Sequence, residues 1–151
     1  MIKLVMCVRR RADLSRAEFQ DYWLNHHGPL FQKFAETYKA IRYIQSHTIN
    51  TPLNDNVKKA RGMSEEYDGI AEIWWESEKD FIEAISAPDG QEFRTIFLED
   101  EAKFLDFTRS SAFFTDLCNK GFTPRIEGLS APQATCSMRL DGFMSPQRRQ
   151  T

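Results

Sequence analysis

A chain of 151 residues carrying 20 lysines and arginines against 22 aspartates and glutamates has a formal net charge of -2. That length predicts one domain, and the absence of a basic excess argues against a nucleic-acid binder. A hydrophobic fraction of 41% is that of a soluble globular protein, and no apolar run approaches the roughly 20 residues that span a bilayer.

The first apolar run, Ile2 to Val8, predicts a strand that is apolar on both faces and therefore central. It carries Lys3 and ends in Arg9-Arg10-Arg11, so it does not read as a signal peptide. The arginine run reads as a solvated strand end. Three cysteines, Cys7, Cys118 and Cys136, share no metal-ligand spacing and form no disulfide framework. A reducing compartment, the cytoplasm, is expected.

Ser15 and Glu18 form a capping box that opens a helix running to about His27, where Gly28-Pro29 breaks or kinks it. On that helix Phe19, Trp23 and His27 fall at i, i+4 and i+8. Imidazoles therefore stand in a stripe that a pure packing face would keep apolar. Histidine exchanges protons near neutrality, and an aromatic wall beside it suits proton transfer on a flat organic molecule. His27 is a candidate general acid or base; the alternative is a helix C-terminal histidine that caps carbonyls. His26 points about 100° away around the helix and is a second candidate.

Residues 41 to 49 alternate and predict the second strand, with Tyr43, Gln45, His47 and Ile49 in phase. A strand face bearing a phenol, an amide and an imidazole makes His47 a further candidate, either catalytic or simply hydrogen-bonded. Residues 51 to 67 are polar, with Pro52, Asn54, Asn56 and Gly62, and predict a long loop, a form often taken by lids. Residues 68 to 76 predict the third strand. Asp68, Glu72, Trp74 and Glu76 share one of its faces. Glu72, a carboxylate beside an indole, is a candidate proton carrier.

Ser77 caps a second helix through Phe81, Ile82 and Ile85; Pro88-Asp89-Gly90 interrupts it, and helix resumes from Glu92 to Phe104. Asp100, Glu101 and Asp106, near its end, are expected to accept hydrogen bonds from the first helix or from Arg109. Residues 107 to 114 predict the last strand. Beyond Leu117 the chain is polar and proline-bearing, yet Phe122, Ile126, Leu129, Leu140, Phe143 and Met144 suggest an arm or lid rather than a solvated tail. The expected division is a domain over 1–117 and an extension over 118–151.

Strand, helix, strand, strand, helix, strand is the split βαβ, ferredoxin-like α+β order, a four-stranded antiparallel sheet with both helical regions on one face. The bare face predicts a two-fold homodimer.

Three motifs stand in one order: Arg9-Arg10 to Leu14-Ser15-x-x-Glu18-Phe19-x-x-Tyr22-Trp23-x-x-x-His27-Gly28-Pro29-Leu30, then Asp68-Gly69-Ile70-x-Glu72-x-Trp74, then Asp100-Glu101-x-x-Phe104-Leu105-Asp106. Together they resemble the EthD domain over roughly residues 1 to 116. The resemblance implies a dimeric α/β barrel built from two ferredoxin-like subunits. It also implies the company of cofactor-free decarboxylases, dehydratases, cyclases, isomerases and oxygenases acting on aromatic or polyketide-derived molecules, and of an accessory protein of alkyl-ether degradation. The residues after Gly121 lie beyond that pattern.

The chain shows neither a glycine-rich phosphate loop nor a histidine pair at metal-binding spacing, so no cofactor and no metal are expected. The expected function is a cofactor-independent lyase, a decarboxylase or dehydratase, on a hydroxylated aromatic substrate. His27 and His47 are its expected acid/base pair, Tyr22 and Tyr43 its hydrogen-bond donors, and Trp23 and Trp74 its aromatic walls.

Overall fold

The computed structural model describes residues 1–116 and the pair 137–138. Five strands form one antiparallel sheet: β1 (Ile2–Val8), β2 (Arg42–His47), β3 (Gly69–Trp75), β4 (Ser111–Asp116) and the two-residue β5 (Ser137–Met138). Their order is β4-β1-β3-β2-β5. β1 and β3 take the inner places among the four long strands, each paired with a long strand on both sides. The four long strands have the ferredoxin-like arrangement, and β5 adds to the edge at Tyr43 and Ile44. The other apolar positions of the C-terminal segment, and its expected role as an arm or lid, lie outside the described residues.

Helix α1 (Arg16–Tyr22) starts at the expected capping box: the Ser15 side chain accepts from the Glu18 N–H while the Glu18 carboxylate accepts from the Ser15 N–H. The Gly28-Pro29 pair does not end it. Trp23–His27 form a single π-helical turn in which the Gly28 N–H reaches the Trp23 carbonyl, and α2 (Gly28–Phe34) continues with Pro29 in its first turn. Pro29 has no N–H to give to the preceding turn, and the π turn just before it is where the helical ladder absorbs that missing bond.

The segment expected as a loop contains a helix, α3 (Pro52–Arg61). Thr51 caps it, Pro52 starts it and Gly62, at φ 61°, ends it in the left-handed conformation. The residues that looked like loop punctuation are its start and stop signals. It buries no side chain of its own. Helices α4 (Glu78–Ser86) and α5 (Pro88–Glu101) divide where Pro88 interrupts the run. The last strand begins later than expected: Phe107–Arg109 form a 3₁₀ turn capped by Asp106, and β4 follows.

Helices α1, α2, α4 and α5 lay their apolar sides on one sheet face. Phe19, Trp23, Phe31 and Phe104 pack there with Val8, Tyr43, Ala71, Ile73 and Trp75. The other face carries Val5, Cys7, Ile44, Ile70, Glu72, Trp74 and Phe113, as strand alternation and the register Val5↔Glu72 and Val5↔Phe113 require. Ile70 and Phe113 are exposed on it. Among the described residues, no helix is long and apolar enough to cross a membrane.

Candidate active site

Between the helices and the sheet lies a cavity of about 180 Å³. Leu4, Met6, Val8, Ala71 and Ile73 form its sheet floor, and Phe31, Phe97 and Phe104 its walls. Five side chains bring chemistry to this apolar lining: His27, Tyr38, Tyr43, Glu101 and, at the helix side, Arg94.

His27 comes from the π turn. That turn places His27 inside at 3% exposure while leaving its neighbour His26 exposed, and π turns recur at functional sites because they re-aim a side chain within a helix. His26 stacks on Tyr22 at 5.0 Å and does not line the cavity. The His27 Nδ1 is 2.8 Å from the carboxylate of Asp100, in α5. A carboxylate only accepts, so Nδ1 carries the hydrogen and Nε2 keeps its lone pair. Asp100 also accepts from the Tyr22 hydroxyl at 2.7 Å and from Lys103 at 3.1 Å. Burial alone raises the pKa of Asp100, but these three donors outweigh it and the carboxyl ends below its usual range. Burial pushes the His27 imidazole down, with Asp100 opposing. His27 is therefore a neutral base at pH 7.

Glu101, the next residue, turns into the cavity with Phe104 and Leu105. Burial, reinforced by the negative charge of Asp100, pushes its carboxyl up to about 7. Near neutrality it carries a proton that a surface glutamate has lost.

Tyr43 lies on the cavity floor against Phe31. Its oxygen accepts from the Trp23 indole at 3.0 Å and the Gln45 amide at 2.9 Å. With both lone pairs engaged, the phenol acts toward any further partner as a donor. Gln45 also donates to the Trp23 carbonyl, which fixes its amide orientation, and its oxygen faces the His47 Nε2 at 3.0 Å.

His47 stacks on the Trp23 indole, ring centres 4.8 Å apart and planes within 11°. It lines an open groove with Arg10, Arg16, Gln20 and Asn50, not the cavity that holds His27. The two imidazoles expected as a pair thus occupy different pockets, because Trp23 fills the space beside His47.

Glu72 and Trp74 stand apart as well. The register sets Tyr43 opposite Ile73 and Gln45 opposite Ala71, whereas Ile44 faces Glu72 and Arg42 faces Trp74. The sheet itself therefore separates Glu72 and Trp74 from Tyr43 and His27. Glu72 pairs with Lys3 at 2.5 Å, and Trp74 is flanked by the Lys3 ammonium at 5.2 Å and the Arg42 guanidinium at 5.0 Å.

Of the expected site residues, His27, Trp23 and Tyr43 line the cavity, and Tyr22 supports it through Asp100. Glu101 and Arg94 complete it. Glu101 belongs to the third motif, which was the available signal; its burial depends on packing that its charged neighbours hide. Among the described residues, no group of three or more histidine, cysteine, aspartate or glutamate side chains is disposed to hold a metal ion. The arginine run stays solvated only at Arg11: Arg10, joined by Arg16 from α1, converges on the buried Asp68, while Arg9 donates to the carbonyls of Glu65 and Glu66.

The chain is similar in fold to an ethyl tert-butyl ether D (EthD) family protein of Bacillus halodurans C-125, with 16% identity, a TM-score of 0.52, and coverage of 78% of this chain and 98% of that one. An Arabidopsis thaliana protein is similar over 81% of this chain and 100% of its own, at 16% identity and a TM-score of 0.51. A dimeric protein of unknown function and ferredoxin-like fold from Bacteroides fragilis NCTC 9343 follows at 8% identity and a TM-score of 0.50, covering 77% and 95%. A comparison with curated protein sequences finds no match. The EthD domain model matches residues 11–108, a span that holds the π turn, β2, β3 and the whole acid/base cluster, and the chain belongs to the EthD domain family.

Proposed function

We propose that the protein is a cofactor-independent lyase that removes water or CO₂ from a hydroxylated aromatic or polyketide-derived molecule, with His27 as base and Glu101 as acid. One observation carries this reading: an imidazole oriented by Asp100 and a buried carboxyl line the same small apolar cavity, where burial pushes the imidazole down and the carboxyl up to about 7. Environments that push two titratable groups in opposite directions assign a base and an acid. His27 keeps its expected place in the pair, and Glu101, rather than His47, is its partner in the cavity.

In a dehydration, Nε2 of His27 takes the proton from the carbon beside a carbonyl. Tyr43 donates to the carbonyl oxygen as charge develops there, and Glu101 gives its proton to the departing hydroxyl. The carbon–oxygen bond breaks, water leaves and a carbon–carbon double bond remains. A proton passed from imidazolium to carboxylate, directly or through solvent, resets the site. In a decarboxylation the carbon–carboxylate bond breaks instead, its electrons flow toward the carbonyl, and Glu101 protonates that oxygen.

A cavity of about 180 Å³ encloses one aromatic ring, since an apolar cavity of about 150 Å³ accommodates benzene. Further rings of a substrate extend through the mouth. The reading also includes a homodimer formed through the sheet face bearing Phe113 and Ile70. Its support is the apolar exposure there and the dimeric state of the Bacteroides fragilis protein of like fold.

The direct test is incubation of pure, metal-stripped protein with a panel of polyhydroxy-aromatic acids and their β-hydroxy and β-keto precursors, followed by mass spectrometry. Loss of water or CO₂ that depends on His27 supports the reading. Tight binding without turnover across the panel assigns the protein to carriage of a hydrophobic metabolite instead.

A further inference from the structure

Helix α5 places Arg94, Phe97, Leu98 and Glu101 along one face at spacings of three and four residues, and all four line the cavity. Phe97 and Glu101 lie toward the interior, whereas Arg94 and Leu98 are exposed and form the rim. Arg94 also borders the adjoining surface groove lined by Ile85, Gln91 and Thr95. Its guanidinium thus stands where a molecule seated in the cavity meets solvent.

The other arginines near a pocket are committed. Arg10 and Arg16 pair with Asp68, Arg11 with Asp13 and Arg109 with Asp106. Arg94 has no carboxylate partner among the described residues. Its charge acts on the phenol of Tyr38, another group lining the cavity, and not on a paired carboxylate among the described residues.

We propose that Arg94 is an anchor for a carboxylate carried by the ring substrate, so that the molecule enters ring first and is held at its outer end by a charge-assisted, two-pronged hydrogen bond. This rests on the reading of the cavity as a ring-binding site. A guanidinium offers two parallel N–H donors that match the two oxygens of a carboxylate. The cavity supports the match by presenting no fixed negative charge below neutrality, when Glu101 is protonated. The order along the helix agrees with this arrangement: Arg94 stands at the rim three residues before Phe97, which faces the interior.

Calorimetric titration of the full chain at pH 6 and low salt with phenol and with 2-hydroxybenzoate tests this. The acid should bind about two- to fivefold more tightly than phenol, the range an exposed ion pair supplies. In R94Q the acid should fall to the level of phenol, while phenol binding stays unchanged. A charge-preserving R94K variant should keep part of the preference, because one ammonium replaces two parallel donors. Equal binding of the two ligands to the wild type, or an unchanged preference in R94Q, overturns the anchor and leaves the ring site intact. If neither ligand shifts the NMR signals of Phe97 and Phe104, the ring-binding reading falls, and the anchor with it.

Discussion

The imidazole of His27 and the carboxylate of Asp100, 73 residues apart in sequence, meet at 2.8 Å in the interior. The contact fixes one tautomer of the ring, leaving Nε2 as the unprotonated nitrogen of a residue that lines the cavity. It also joins the first helical region to the end of α5, so the site and the packing of two elements depend on the same bond.

Replacement of His27 by Ala should lower kcat on the true substrate by at least about 10²-fold, the lower end of what a general base contributes. D100N should keep the fold but favour the wrong tautomer, with a smaller kcat loss and little change in KM. Rates measured beside circular dichroism spectra check both. Wild-type turnover by His27→Ala removes the histidine from the mechanism.

Activity should follow a narrow pH profile. The acid limb reflects protonation of His27, held below its usual value by burial, and the alkaline limb reflects loss of the Glu101 proton near pH 7. E101Q should be slower by about 10²-fold and should lack the alkaline limb. A profile flat from pH 5 to 9 contradicts this assignment.

The same glutamate makes stability depend on pH. Its folded pKa, about 7, lies above the ordinary value of 4.5. Folding therefore takes up a proton between those values, and stability falls as pH rises through that window. At pH 8 the cost is on the order of 3 kcal/mol. E101Q should be more stable than wild type by about that amount at pH 8 and equal to it below pH 4.5. Urea unfolding across this range measures the difference, and a gap independent of pH would contradict the burial of an ionisable carboxyl.

Gly69 is set by the indole of Trp23. A Cβ at this position would lie 2.5 Å from the indole edge and 2.8 Å from the Ser46 carbonyl. G69A should cost about 1–3 kcal/mol through overpacking. Because Trp23 supports Tyr43, it should also weaken ring binding. Thermal unfolding and phenol titration together separate the two effects.

If the proposed dimer forms through the Phe113 and Ile70 face, aspartate at either position should give a monomer of 17.6 kDa without loss of secondary structure. Sedimentation at micromolar concentration reads this directly. A wild-type monomer removes the dimer itself.

Much of the fold is legible in the chain. The two serine caps, at Ser15 and Ser77, mark helix starts, and the alternation of β2 and β3 marks strands. The face of β3 is also readable, but which face meets Tyr43 is a matter of register, and register is not written in either strand alone. Glu72 and Trp74 were therefore grouped with residues on the far side of the sheet. Helix α3 hid behind Thr51, Pro52 and Gly62, which serve equally as loop markers and as helix ends. Glu101 sits in the charged run Glu99-Asp100-Glu101, whose composition describes a wet helix end; only the packing of α5 against Phe104 and Tyr38 makes its last carboxyl dry. His27 was legible because an imidazole among aromatic neighbours is conspicuous at helical spacing.

The flat stack of His47 on Trp23 gives the molecule a built-in optical gauge. An imidazolium accepts an electron from an excited indole far better than a neutral imidazole does, so protonation at this stack should dim Trp23 emission. Burial holds the His47 pKa below its usual value, placing the dimming on the acid side of neutrality. Trp74 and Trp75 have no histidine against their rings among the described residues and supply a steady background. A ligand that enters the cavity and displaces Trp23 from His47 should brighten the protein at a pH acid enough to protonate His47 and leave it nearly unchanged at pH 8, giving a label-free signal for screening candidate substrates.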